Sequence, residues 1–162
     1  MKSNEIVTIS GKRGYGKTTL AKSIISKLSR VAIWDPNAEY NHPNCYIPQR
    51  GTVDEFETWL KPLYISGNIC IIVDEADMVM SEGRPLAPWA YRCINIGRHR
   101  NLGMIMITRR LANLSKTAVS QSAEIYLFHH FIINDIRYLS GFISNAEEVQ
   151  QFKKFQYKKY IL

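Results

Sequence analysis

The chain has 162 residues, of which 46% are hydrophobic and 22% charged, the size and make-up of one globular domain with a proper core. It shows no internal repeat, low-complexity tract or interdomain linker, and no apolar stretch long enough to span a bilayer, which excludes repeat arrays and membrane-spanning helices. The formal charge of +7 favours a polyanionic partner such as DNA or RNA.

In chain order, Met1–Glu5 lacks the apolar region of a signal peptide. Ile6-Val7-Thr8-Ile9 is an apolar, β-branched run and predicts a buried strand. Gly11-Lys12-Arg13-Gly14-Tyr15-Gly16-Lys17-Thr18 follows and fits G-x-x-x-x-G-K-[ST] at every fixed position. Leu20, Ala21, Ile24, Ile25 and Leu28 then recur at helical spacing. Strand, glycine loop and helix together aim backbone N–H groups at a phosphate chain. Gly11, Gly14 and Gly16 allow the tight turn, Lys17 is placed for the β- and γ-phosphates, and the Thr18 hydroxyl is a hard ligand for Mg²⁺. Arg13, Tyr15 and Thr19 complete the candidate nucleotide-binding set.

Val31-Ala32-Ile33-Trp34 predicts a second strand, ended by Asp35-Pro36. The segment to about Arg50 is rich in Pro and Asn and is expected to be loop. Thr52-Val53-Asp54-Glu55 is a capping-box signature opening a helix with Phe56, Trp59, Leu60 and Leu63 on one face. Ile69-Cys70-Ile71-Ile72-Val73 is continuously apolar, as in a parallel strand covered on both sides. Further helices are expected within Pro85–Ile96, about Ser115–Ser122, Asn134–Phe142 and Ala146–Phe155, and strands at Gly103–Thr108 and Ile125–Phe128. In the tail, Phe152 to Tyr160 alternates aromatics with lysines; it is expected to pack its aromatics inward, with a DNA-channel lining as the other reading. Cys45, Cys70 and Cys93 are odd in number without metal-type spacing, which points to a reducing compartment, with Cys70 a core thiol. His129 and His130 are expected to be structural. Strands alternating with helices predict an α/β protein with a mostly parallel central sheet covered on both faces.

Asp74-Glu75 directly follows the run at Ile69. Carboxylates at the C-terminal tip of a central parallel strand enter the same crevice as the glycine loop. There Asp74 is suited to Mg²⁺, and Glu75 to orienting and deprotonating a water. That pairing predicts hydrolysis of ATP as well as binding.

Four stretches give the chain a family likeness. They are Gly11–Thr19, Trp34-Asp35-Pro36-Asn37-Ala38-Glu39-Tyr40, Ile71–Asp77, and Gly97-Arg98-His99-Arg100 through Thr108-Arg109-Arg110. On these the chain resembles the FtsK/HerA superfamily of P-loop DNA-pumping ATPases, particularly its small viral genome-packaging members. The second stretch is similar to that group's D-P-x-x-E-Y, and the fourth to its arginine-containing segment and sensor strand. Filamentous-phage assembly ATPases of the zonula occludens toxin type show a similar Arg-His segment. The resemblance implies a three-layer, RecA/ASCE-like P-loop domain over residues 1–162. It implies Mg²⁺ and ATP as cofactors, double-stranded DNA as partner, and a pentameric or hexameric ring of identical chains. Capsid or membrane-assembly proteins are further implied partners, and the host cytoplasm or the virion the implied location. It makes Arg98 or Arg100 a candidate finger reaching the neighbour's γ-phosphate. Where the family's sensor is usually glutamine, this chain has Thr108 followed by Arg109, so Arg109 is a candidate for the γ-phosphate or for the ring neighbour. A small-molecule or nucleotide kinase and a nucleotide-gated binding module are the rival readings.

Overall fold

The computed structural model describes residues 4–162; most of the expectation about a leader, Met1–Ser3, lies outside them. The order is β1 (Ile6–Ser10), α1 (Lys17–Ile25), β2 (Val31–Trp34), β3 (Cys45–Tyr46), α2 (Val53–Ser66), β4 (Ile69–Val73), α3 (Pro88–Ile96), β5 (Leu102–Thr108), α4 (Lys116–Ser120), β6 (Glu124–Leu127), α5 (Ile133–Ser140) and β7 (Lys158–Ile161). Short 3₁₀ turns lie at Ala76–Met78, Gly97–Arg100, Leu111–Asn113 and Ala146–Gln151.

Seven strands form one sheet in the order β3-β2-β4-β5-β1-β6-β7. Every pairing is parallel except that of β6 with β7. The central strands β4 and β5 are buried along their whole length, which is why their sequences are apolar without alternation. The side-chain period of two still sorts them between two cores. Ile33, Cys70, Ile72, Ile105, Ile107, Val7 and Ile9 face α1, through Ala21 and Ile25. Ala32, Trp34, Ile71, Val73, Met104, Met106, Ile125 and Leu127 face the other way, onto α2, α3, α4 and α5. Helices cover both faces, the α/β architecture expected from the alternating elements.

Local chemistry sets the element ends. The Thr52 side chain accepts from the Glu55 amide at 3.3 Å and caps α2. Glu55 does not return to the Thr52 amide, as a capping box would have it. Its carboxylate accepts instead from the amides of Gln49, Arg50 and Gly51 and from the Tyr46 hydroxyl, which ties the preceding loop to the helix. Trp34, Tyr46, Phe56 and Trp59 stack together beneath this corner. All three cysteines are free thiols, with Cys70 in the core as expected. Among the described residues no helix is long and apolar enough to cross a membrane.

Three expectations fail. The stretch taken as loop up to Arg50 contains β3, a two-residue edge strand that pairs with β2. The helix expected over Ala146–Phe155 is only a 3₁₀ turn ending at Gln151, and the tail returns as β7 beside β6. Pairing with β6, far earlier in the chain, decides the second case. Lys158 and Tyr160 both bind the Glu148 carboxylate, and Lys159 pairs with Glu124 at 2.6 Å. The tail's aromatics do not all pack inward either. Tyr157 lies against Tyr126 and Phe128, but Phe155 stays 64% exposed.

Candidate functional site

Because β1, β4 and β5 run parallel, their C-terminal tips share one end of the sheet, with Ser10 level with Thr108 and Val73 level with Met106. A cleft of about 310 Å³ opens there. The glycine loop supplies Arg13, Gly14, Gly16, Lys17, Thr18 and Thr19 to its wall, and the strand tips supply Asp74, Glu75 and Arg109.

The loop has the conformation its sequence implies. Gly16 sits at φ +107 as the N-cap of α1, and no side chain caps that helix, so its first-turn amides are left for a ligand. A side chain at Gly11 would run into Phe128, 2.6 Å from the Cβ it would need. Gly11 therefore serves the close crossing of the loop over the chain after β6, and it does not line the cleft. Tyr15 does not line it either; its ring stacks on His129, centroids 4.8 Å apart. His130 is buried, with its ring nitrogens bound to Ser10 Oγ and the Phe128 carbonyl, and burial holds it below the usual histidine range. Both histidines thus have packing roles.

Charge in the cleft is balanced between three cations and three carboxylates. Lys17 Nζ donates to the Lys12 carbonyl at 3.3 Å. Burial lowers the Lys17 ammonium below its ordinary value, against the pull of Glu75 and Asp74. Asp74 is only 4% exposed, and burial pushes its carboxyl up to about 6, with Glu75 and Glu39 adding repulsion and the Glu75 amide opposing. Glu75 stands in the left-handed region at φ +48, a costly conformation for a residue with a Cβ. Its Oε1 receives two N–H groups from Arg109, at 2.7 and 2.9 Å, and Asn37 Nδ2 at 3.4 Å.

The two positions at the end of β5 separate cleanly. The Thr108 hydroxyl is buried and donates to Asp77 at 2.8 Å. Arg109, half-exposed, is the group that β5 presents to the cleft, between the glycine loop on β1 and the acid on β4. Arg110 turns away to a buried ion pair with Asp135.

Arg98 and Arg100 lie elsewhere. The 3₁₀ turn that carries them precedes β5, so they stand at the opposite end of the sheet, roughly 20 Å from the tip of β5 along that strand. Arg98 is exposed. Arg100 is engaged at home: its guanidinium donates to the Ile65 carbonyl at 2.6 Å and covers the Tyr64 ring.

Three residues of the cleft were not singled out from the sequence: Asn37, Glu39 and Phe155. Asn37 and Glu39 come from the loop after β2. There the buried Asp35 carboxylate takes the Tyr40 amide at 2.8 Å, and Ala38 turns at φ +54. The Asp-Pro-x-x-Glu-Tyr spacing was the available signal, since it fixes both ends of the turn and leaves Glu39 facing the loop. Glu39 Oε2 accepts the Thr18 hydroxyl proton at 3.0 Å, which leaves the Thr18 oxygen lone pairs open to a cation. Thr18, Asp74 and Glu39 bring hard oxygen donors to the one cleft. The site suits a divalent cation of the Mg²⁺ type. Among the described residues no three His, Cys, Asp or Glu side chains lie close enough to hold an ion unaided.

No protein-family model matches the chain, and no curated protein matches it in sequence. Solved structures do match in fold. The genome packaging NTPase B204 of Sulfolobus turreted icosahedral virus 2, in complex with AMPPCP, has a TM-score of 0.85 at 23% identity, covering 99% of this chain and 93% of that one. Its complex with ATPγS gives 0.82 at 23% identity, over 99% and 94%. The N-terminal domain of zonular occludens toxin from Neisseria meningitidis is more distant, at 0.54 and 17% identity over 75% of each chain. From end to end, this chain has the fold of the viral packaging NTPases, a P-loop architecture with a mostly parallel sheet.

Proposed function

We propose that residues 1–162 form a single P-loop ATPase domain that hydrolyses ATP to drive double-stranded DNA, as a pentameric or hexameric ring packaging the genome of a virus or mobile element. One observation carries this reading: Glu75 and Arg109 share a cleft with Lys17 and Thr18. A site for phosphate binding alone needs the loop. A carboxylate held beside it is what activates a water, and an arginine between them meets charge that develops on the γ-phosphate. Resemblance in fold to a packaging NTPase over nearly the whole chain supports the task, and a net charge of +7 supports a polyanionic track.

In this reading the loop amides and Lys17 bind the phosphates, with Arg13, Gly14 and Thr19 along the cleft. Thr18 and Asp74, with Glu39 beside them, would hold Mg²⁺, which supplies positive charge to the β- and γ-phosphate oxygens. Glu75 accepts a proton from the attacking water. Its Oε1 is taken by Arg109, so Oε2 accepts that proton, or Arg109 first moves to the γ-phosphate. Arg98 of one subunit completes the site of the next. Capsid or membrane-assembly proteins dock the ring, in the host cytoplasm or at the virion.

The test is turnover of Mg²⁺-ATP by the full chain, with and without duplex DNA and with nucleosides or sugars as acceptors. Hydrolysis raised severalfold by duplex DNA is the expected result. Phosphate transfer to an acceptor without DNA dependence would move the protein to the kinases, and binding without turnover would leave a nucleotide-gated module. The fold shared with the zonular occludens toxin domain favours one second reading, a filamentous-phage assembly ATPase. Turnover that responds to membrane-bound assembly proteins and ignores DNA would select it.

A further inference from the structure

Phe155 is the most anomalous residue near the cleft. It is 64% exposed, yet its backbone sits in the left-handed region at φ +64, where residues other than Gly and Asn are uncommon. Folding alone explains neither feature, because the ring gains little by burial and the backbone conformation is unfavourable. Neither is it a loose tail. The Phe155 amide donates to the Tyr15 carbonyl in the glycine loop at 2.9 Å. On one side the Lys153–Gln156 turn is closed by the Gln156 amide on the Lys153 carbonyl, at 3.0 Å. On the other side Tyr157 packs on Phe128, centroids 5.2 Å apart, and leads into β7. The ring is thereby laid on the loop: its Cδ1 is 2.7 Å from where a Cβ on Gly16 would be. One edge of the ring covers the last glycine, and the ring itself lines the cleft.

The sheet order gives this placement a direction. The acidic strand β4 lies two strands from β1 on one side, with β5 between them; β6 and β7 lie on the other side. A triphosphate on the loop has its γ end toward Glu75 and Arg109, at the β4 side. Its nucleoside end then points toward β6 and β7, where the tail delivers Phe155. An exposed aromatic ring held rigidly at that end of a phosphate site has the shape and chemistry to stack a heterocyclic base. We propose that Phe155 is the platform for the base of the bound nucleotide, and that β7 exists in part to hold it there. The proposal rests on the reading of the glycine loop as a nucleotide site. Stacking is indifferent to base identity, so this contact adds affinity without choosing among the bases.

The test separates the base from the phosphates. Full-length protein is titrated calorimetrically with ATP and with inorganic tripolyphosphate, both in Mg²⁺, and melting temperatures are taken alongside. Phe155→Ala is expected to weaken ATP about 5- to 150-fold, the range for loss of one base–aromatic stack, and to leave tripolyphosphate unchanged. Phe155→Trp is expected to restore ATP affinity. An unchanged ATP affinity in Phe155→Ala overturns the platform, as does an equal loss for both ligands, which would assign Phe155 to the shape of the loop. Wild-type protein that binds neither ligand overturns the glycine-loop reading itself and the platform with it, a result distinct from the other two.

Discussion

At the scale of single residues, the cleft places three side chains under electrostatic tension, and each gives a measurable consequence. Asp74 is the clearest. Its carboxyl is raised from 3.8 to about 6 in the folded chain, chiefly by burial. The folded state therefore holds that proton more tightly than the unfolded state, and stability falls as pH rises from about 4 to about 6. Asp74→Asn removes this penalty. It is expected to be more stable than wild type at pH 7, by something on the order of 1–3 kcal/mol, with the difference nearly gone at pH 4. Denaturant unfolding of both proteins at the two pH values checks it, and equal stability at pH 7 would contradict the assignment. Glu75→Gln keeps the shape of the site and removes the proposed base. Turnover is expected to fall by roughly 10²-fold or more while ATP still binds, since proton transfer is lost and the phosphate contacts remain. Loss of ATP binding in this variant, measured calorimetrically, would make Glu75 a structural residue. Arg109 is half-exposed, so Arg109→Ala should leave the melting temperature nearly unchanged and act on turnover. If the melting temperature drops while turnover holds, the pair with Glu75 is structural.

At the scale of elements, legibility followed how local each decision was. β1, β2, β4 and β5 were plain because buried parallel strands must be apolar along their length, and Ile69–Val73 admits little else. The glycine loop was plain because its backbone geometry requires glycine at fixed spacing. The start of α2 was equally local: Thr52 caps it through one side-chain bond, and Thr52→Ala is expected to cost about 1 kcal/mol, or roughly 2–4 °C in melting temperature. Glu55→Ala should cost more than Thr52→Ala, because that carboxylate holds three loop amides and Tyr46. Thermal unfolding of the two variants side by side tests this ranking. By contrast, β3 and β7 were hidden. β3 is two residues whose only strand signal is the neighbouring β2. In the tail, Phe152, Phe155, Tyr157 and Tyr160 are spaced by threes and twos, a pattern that suits a helix as well as a strand. Pairing of the tail with β6, and of Lys159 with Glu124, both remote in sequence, settled the matter. The same remoteness concealed Phe155 as a wall of the cleft. Glu39 was half-legible: its motif was visible, but its bond to Thr18 depends on how the β2 loop folds back over α1.

For the whole molecule, the sheet separates the arginine segment from the chain's own phosphate site. Arg98 and Arg100 precede β5, and the cleft lies beyond its far end, so neither reaches the Lys17 of the same chain. A catalytic role for them requires a second copy. The two also differ. Both are exposed, but Arg100 is spent on the Ile65 carbonyl and the Tyr64 ring. Arg98 is the better candidate for the proposed finger, and Arg100 fastens its turn to the end of α2. In a head-to-tail ring each interface joins the P-loop of one subunit to the arginine of the next. Mixing Arg98→Ala chains with Lys17→Ala chains in equal amounts then gives intact interfaces, about a quarter of the total, although each variant alone has none. ATPase activity is expected to reappear on mixing, by about that fraction of wild type if sites fire independently. Arg100→Ala mixed with Lys17→Ala should show no such gain, because its defect lies in its own fold. A mixture of Arg98→Ala and Lys17→Ala that stays inactive, under conditions where mass measurement finds mixed rings, would remove Arg98 from the site. Rescue by Arg100→Ala instead would transfer the role to Arg100 and mean that its contacts with α2 release when the ring forms.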